Sequence, residues 1–137
     1  MKYYKEVTII LPLPPSVNGL YAGMARRFKS KKYKEWLEQA VDSCGTTLSK
    51  YEVNPDVWFK TEYTYYMPLW YKNGNVKKRD VGNYEKAVSD FLGDNIEGFD
   101  DMRIKSLRLI KIDSERNEVV CTIEEIDDEP LIQNEIN

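Results

Sequence analysis

The opening segment EVTIILPLPP is rich in β-branched side chains and closes on prolines, which predicts a short strand from Val7 to Leu11. A Gly-punctuated loop, SVNGLYAGMARRFKS, follows it. In the next stretch Tyr33, Trp36, Leu37, Ala40, Val41, Cys44 and Leu48 recur at helical spacing. Ser30 is the natural N-cap of that amphipathic helix, and Gly45 breaks or frays its end. Aromatics and threonines from Val57 to Tyr66 predict a second strand, and Asn73-Gly74 marks a turn in the loop after it. A second helix is expected from about Val81 to Leu92, closed by Gly93. Two strands, DMRIKSLRLIKID and NEVVCTIEEI, are expected to form a hairpin through SERN. The resulting order, β-α-β-α-β-β, predicts an α/β (α+β) domain in which two helices pack on a single mixed sheet.

The 137 residues suit one domain, taken as 1–126, followed by an acidic tail, 127–137, expected to be disordered. The chain has no histidine, so His-based triads and His-ligated metals are excluded. Two cysteines do not make a disulfide framework or a four-ligand zinc site. No apolar run approaches the ~20 residues of a membrane span. The short, Pro-broken N-terminal stretch lacks the pattern of a signal peptide, so a cytoplasmic location is expected. Residues 1–114 carry 19 Lys/Arg and 15 Asp/Glu, whereas 115–137 carry one Arg and eight acids, within a net charge of −3. A basic body behind an acidic end points weakly to an anionic partner. It also suggests a tail that competes with that partner.

The second helix concentrates the candidate chemistry. At about 100° per residue from Asp80, Val81, Tyr84, Val88, Phe91 and Leu92 fall between about 20° and 120°. Asn83, Lys86 and Asp90 fall on the opposite side, between about 240° and 300°. Asp80 takes the N-cap, and the strand after Asp100-Asp101 is expected to bring Asp101 towards it. Each residue alone has a plain role: a cap, a first-turn amide, a surface lysine, a turn, a charged loop. Together they offer oxygen ligands for a hard divalent cation, an amine one turn away, and a Lys77-Lys78-Arg79 run for backbone phosphates.

Two stretches resemble the RusA-type Holliday junction resolvases. LPLPPSVNGLY, Leu11 to Tyr21, is similar to that family's first strand and its Pro-Pro-Ser-x-Asn turn. RDVGNYEKAVSDFL followed by GFDDMRI is similar to its Arg-Asp-x-Asp-Asn-x-x-Lys motif, with a later Asp and a paired Asp-Asp before a strand. The resemblance spans about Val7 to Ile126. It implies a homodimeric endonuclease, dependent on Mg²⁺ or Mn²⁺, that cuts four-way and branched DNA junctions in recombination and repair, often of phage or prophage origin. Asp80, Lys86 and Asp101 would be catalytic. Asp80, Asp101 and Asp100 would face the metal. Asn18, Arg26, Arg27, Lys77, Lys78, Arg79 and Asn83 would contact DNA.

One position departs from the pattern: the second aspartate of Asp-x-Asp is Gly82. Three readings follow. Asp80 and Asp101 suffice with water, Glu85 reaches back from the next turn, or the chain binds junctions without cutting them. A different class, a protein-interaction module, would rest on the acidic tail and on Trp58, Trp70 and Tyr71.

Overall fold

The computed structural model describes residues 3–23 and 27–130, with side chains up to residue 126. Among the described residues the strands are β1 (Glu6–Pro12), β2 (Tyr21–Ala22), β3 (Phe28–Lys29), β4 (Val57–Met67), β5 (Ile104–Asp113) and β6 (Glu118–Pro130). The helices are α1 (Lys31–Cys44) and α2 (Glu85–Asn95), with 3₁₀ turns at Val17–Gly19, Leu48–Lys50, Val81–Tyr84 and Asp101–Arg103. β1, β6, β4 and β5 form one mixed sheet in that order, and β2 pairs with β3 in a small second sheet.

Alternation sets the buried face. Val7, Ile9 and Leu11 of β1, Phe59, Tyr63, Tyr65 and Met67 of β4, and Val119, Cys121 and Ile123 of β6 are all buried in one core. Thr8, Lys60 and Glu124 point the other way, and the cross-strand Lys60–Glu124 pair is 4.0 Å apart. α1 contributes Tyr33, Trp36, Ala40 and Cys44 to the core, and α2 contributes Ala87, Val88, Ser89, Phe91 and Leu92. The helices meet where the Trp36 ring stands edge-on to Phe91, with centroids 5.7 Å apart. Burying a ring of that size stabilises the fold by about 1.5–3 kcal/mol. The Trp36 indole N–H also donates to Pro12 O at 2.9 Å, so α1 is tied to the end of β1.

The expected β5–β6 hairpin does not form. β5 pairs in parallel with β4, while β6 runs antiparallel between β4 and β1. SERN therefore carries the chain past the end of β4, and Ser114 N–H donates to Met67 O there. Parallel neighbours need a crossover, and α2 is the helix of that β4–α2–β5 unit.

Three boundaries also differ. α1 ends at Cys44, with Gly45 at φ +58° and Leu48 in the following 3₁₀ turn. Gly93 lies inside α2, which continues to Asn95. The segment 81–84 is 3₁₀, so a 100° wheel applies only from Glu85 onward. The tail begins as strand, since β6 runs to Pro130, and residues 131–137 lie outside the described residues.

Candidate active site

The crossover places α2 between the loop that leaves β4 and the turn that enters β5. Asp80 caps the 3₁₀ turn at the start of this segment. Its Oδ1 accepts Gly82 N–H at 3.1 Å and its carbonyl accepts Asn83 N–H at 3.0 Å. Residue 79 is fixed from the sheet side, where Lys111 Nζ at the far end of β5 donates to Arg79 O at 2.9 Å. The Arg79 guanidinium lies 3.8 Å from Met67 Sδ. On the other flank, Ser30 Oγ accepts Tyr33 N–H at 3.1 Å and donates to Gly19 O at 2.7 Å. This ties the Val17–Gly19 turn, with exposed Asn18, to the start of α1, and the same turn lies against α2 and residues 81–84.

Further along α2 a second group assembles. Ser89 is buried; its hydroxyl donates to Glu85 and lies 2.9 Å from the Tyr63 hydroxyl. Burial pushes the Tyr63 phenol well above its usual range. Lys86 Nζ sits 3.1 Å from Asp90 Oδ2. That hydrogen bond, and then the Asp90 charge, raise the lysine pKa, with smaller contributions from Tyr21 and Asp101. Asp100 caps the Asp101–Arg103 turn by accepting Met102 N–H at 3.0 Å. Partial burial raises the Asp101 pKa, and the carboxylates of Asp100, Asp90 and Glu85 add to it. Ser89, Asp90, Asp94, Asp100 and Asp101 border a small cleft of about 220 Å³.

Asp101 is therefore brought to the middle of α2, against Ser89 and Asp90, and Glu85, Asp90 and Asp100 are the carboxylates that act on it most strongly. Glu85 does not reach back to Asp80; it is turned to Ser89. Among the described residues no three His, Cys, Asp or Glu side chains form a ready-made metal cluster. The Gly82 position is open. A Cβ there would meet only Asp80 Oδ1, at 3.5 Å, an ordinary contact distance.

Of the expected DNA contacts, Arg26 lies outside the described residues and Arg27 is exposed, 5.9 Å from the Tyr21 ring. Lys77, Lys78 and Arg79 line a larger groove of about 1060 Å³ with Lys32. Sequence reasoning missed the Tyr63–Ser89–Glu85 chain. Ser89 lies at i+4 from Glu85, which was the available signal.

Comparison with family models matches Endodeoxyribonuclease RusA over residues 12–124. The chain belongs to the RusA endodeoxyribonuclease family. The match runs from the end of β1 to the middle of β6 and encloses both carboxylate groups. The family acts on branched DNA junctions. Comparison with curated proteins gives no match. Among the described residues no helix is long and apolar enough to cross a membrane.

Proposed function

We propose that this RusA-family chain is a Mg²⁺- or Mn²⁺-dependent endonuclease that cuts four-way and related branched DNA as a homodimer. The observation that carries the reading is the meeting of Asp101 with the Lys86–Asp90 pair on α2. The donor set is all oxygen, which suits a hard cation, and Mg²⁺ commonly takes only one or two protein carboxylates and fills its shell with water and phosphate. Asp100 and Asp101 would hold the ion at the middle of α2, and when bound it would polarise the phosphate and lower the pKa of an attacking water.

The remaining steps belong to the chain itself. Lys86 holds its proton, because Asp90 stabilises the ammonium form. That places a fixed positive charge where negative charge develops on the phosphate. Asp90 orients the amine, and Lys77, Lys78 and Arg79 grip the adjoining backbone without reading sequence. Two such sites related by a two-fold axis match the two opposed strands of a four-way junction.

A second reading is supported by Gly82: the chain binds junctions and cuts them poorly, because a glycine stands next to Asp80 Oδ1 where the family pattern has its second aspartate. Incubating the protein with a synthetic four-way junction and with linear duplex, with and without Mg²⁺ or Mn²⁺, separates these readings. Paired, metal-dependent nicks in the junction alone support the nuclease. Junction binding without nicks in either metal supports the binder.

A further inference from the structure

Residues 69–77, between β4 and the site, were expected to be a loop with one turn. They form a small hairpin. Lys77 N–H donates to Leu69 O at 2.7 Å, Trp70 bridges Val76, and Tyr71 N–H donates to Asn75 O at 2.8 Å. The tip is closed by Gly74 N–H to Tyr71 O at 3.0 Å, with Gly74 at φ +90°, where a side chain would be strained. The base is pinned to β5 by Leu69 N–H donating to Asp113 Oδ1 at 2.8 Å. A stiff finger thus projects from the sheet end directly before Arg79-Asp80.

Its surface is unusual for a solvent-facing turn. Trp70 is 55% exposed, Tyr71 54% and Val76 57%. Strand alternation puts Trp70 and Val76 on one face and Tyr71 and Lys77 on the other, and Lys77 Nζ lies 5.3 Å from the Tyr71 ring. On the Tyr71 side is the large groove, with Pro14, Pro15 and Trp36 on its wall and Lys32, Lys78 and Arg79 along its rim. From Leu69 to Arg79 the sequence has four cations and no acid. Glu35, which also borders the groove, lies 3.9 Å from Lys31. Flat rings interleaved with positive charge match a polyanion that offers π faces, namely unstacked nucleotides.

We propose that the 69–77 hairpin is a wedge that stacks Trp70 and Tyr71 against bases left unpaired where DNA strands exchange. The inference rests on the branched-DNA reading above and adds how a junction is told from duplex. Linear duplex offers no free base face, so the rings add affinity only at a branch point. The cations of the finger contribute to both substrates.

The test is binding in EDTA, so that no cutting intervenes. The probes are a four-way junction with 2-aminopurine at the branch point and a linear duplex of the same arm sequence. The native protein should prefer the junction and change the 2-aminopurine emission. Trp70→Ala with Tyr71→Ala should weaken junction binding by about tenfold or more and abolish the emission change. Duplex affinity should stay within about twofold, since the phosphate contacts remain. Trp70→Phe, which keeps a ring, should restore most of the preference. Both side chains are more than half exposed, so the fold tolerates their loss, and an unchanged circular dichroism spectrum checks this. Native-like junction binding and emission in the double variant would overturn the wedge and leave the branched-DNA reading standing. Equal losses on junction and duplex, with a changed mass by light scattering, would make the finger a subunit contact and overturn it too. A native protein that shifts neither DNA at low salt would remove both inferences.

Discussion

At the start of the α2 segment, Asp80 and Asn83 are held by bonds that reach two or three residues along the chain. At its middle, Asp90 meets Asp101 only because the crossover returns the chain to the same place at the head of β5. The first group is a property of local sequence and survives as long as the turn does. The second is a property of the fold: it needs the loop of residues 96–103 to be laid down correctly. The two groups also differ in charge. Asp80 has Lys111 and Arg79 bound nearby, whereas Asp101 has carboxylates on several sides.

Substitutions at the two groups should separate their roles. Asp101→Asn is expected to have the largest effect, a fall in junction cleavage of roughly a hundred- to a thousandfold with binding kept or tightened. Initial rates on a labelled junction, beside a gel-shift titration, measure both; normal cleavage would move the active site elsewhere. Lys86→Ala should lower the rate about a hundredfold, and Lys86→Arg should recover only part of it, because a planar guanidinium does not replace a compact amine. The middle group can be broken from a distance. Gly98 sits at φ +91°, and a Cβ there would lie 2.0 Å from Val53 O. Gly98→Ala should cost about 3 kcal/mol in denaturant unfolding and should disturb the Asp100–Asp101 turn while leaving the Asp80 cap intact. At the first group, Gly82→Asp should raise cleavage about tenfold if a missing carboxylate limits the native rate, and leave it unchanged if water already serves. The smallest effect belongs to Lys78→Ala. The slope of log affinity against log salt should become shallower by about 0.9, the signature of one lost phosphate contact on duplex DNA.

The parts of this molecule that were legible in the sequence are those whose cause is local. Ser30 as N-cap and β4 as a strand each follow from a few neighbouring residues and are observed, and Asp80 caps the 3₁₀ turn that leads into α2. Strand partnership is not local. SERN has the look of a hairpin turn, yet β5 pairs with β4 through the crossover, and β6 lies between β4 and β1. The surroundings of Asp101, among Ser89, Asp90 and Asp94, were hidden for a related reason. α2 runs opposite to β5, so the head of that strand lies against the helix's later turns, while its far end, at Lys111, meets Arg79. The Asn73-Gly74 pair was read as a turn, but its flanking apolar residues, Trp70 and Val76, are the sign of a hairpin and could have been read as one.

The position of β6 has a consequence for how the protein is made. Thr8 of β1 pairs with Thr122, and every bridge of β1 in the main sheet goes to β6. A ribosome adding about 5–20 residues per second therefore exposes β1, with its Val, Ile and Leu side chains, for several seconds before its partner exists. Closure of the sheet is necessarily a late event, governed by contacts between distant parts of the chain, and such closure is slow. Until residues 118–130 emerge, β1 has no strand to bond with in the main sheet, and its unpaired edge is open to another molecule.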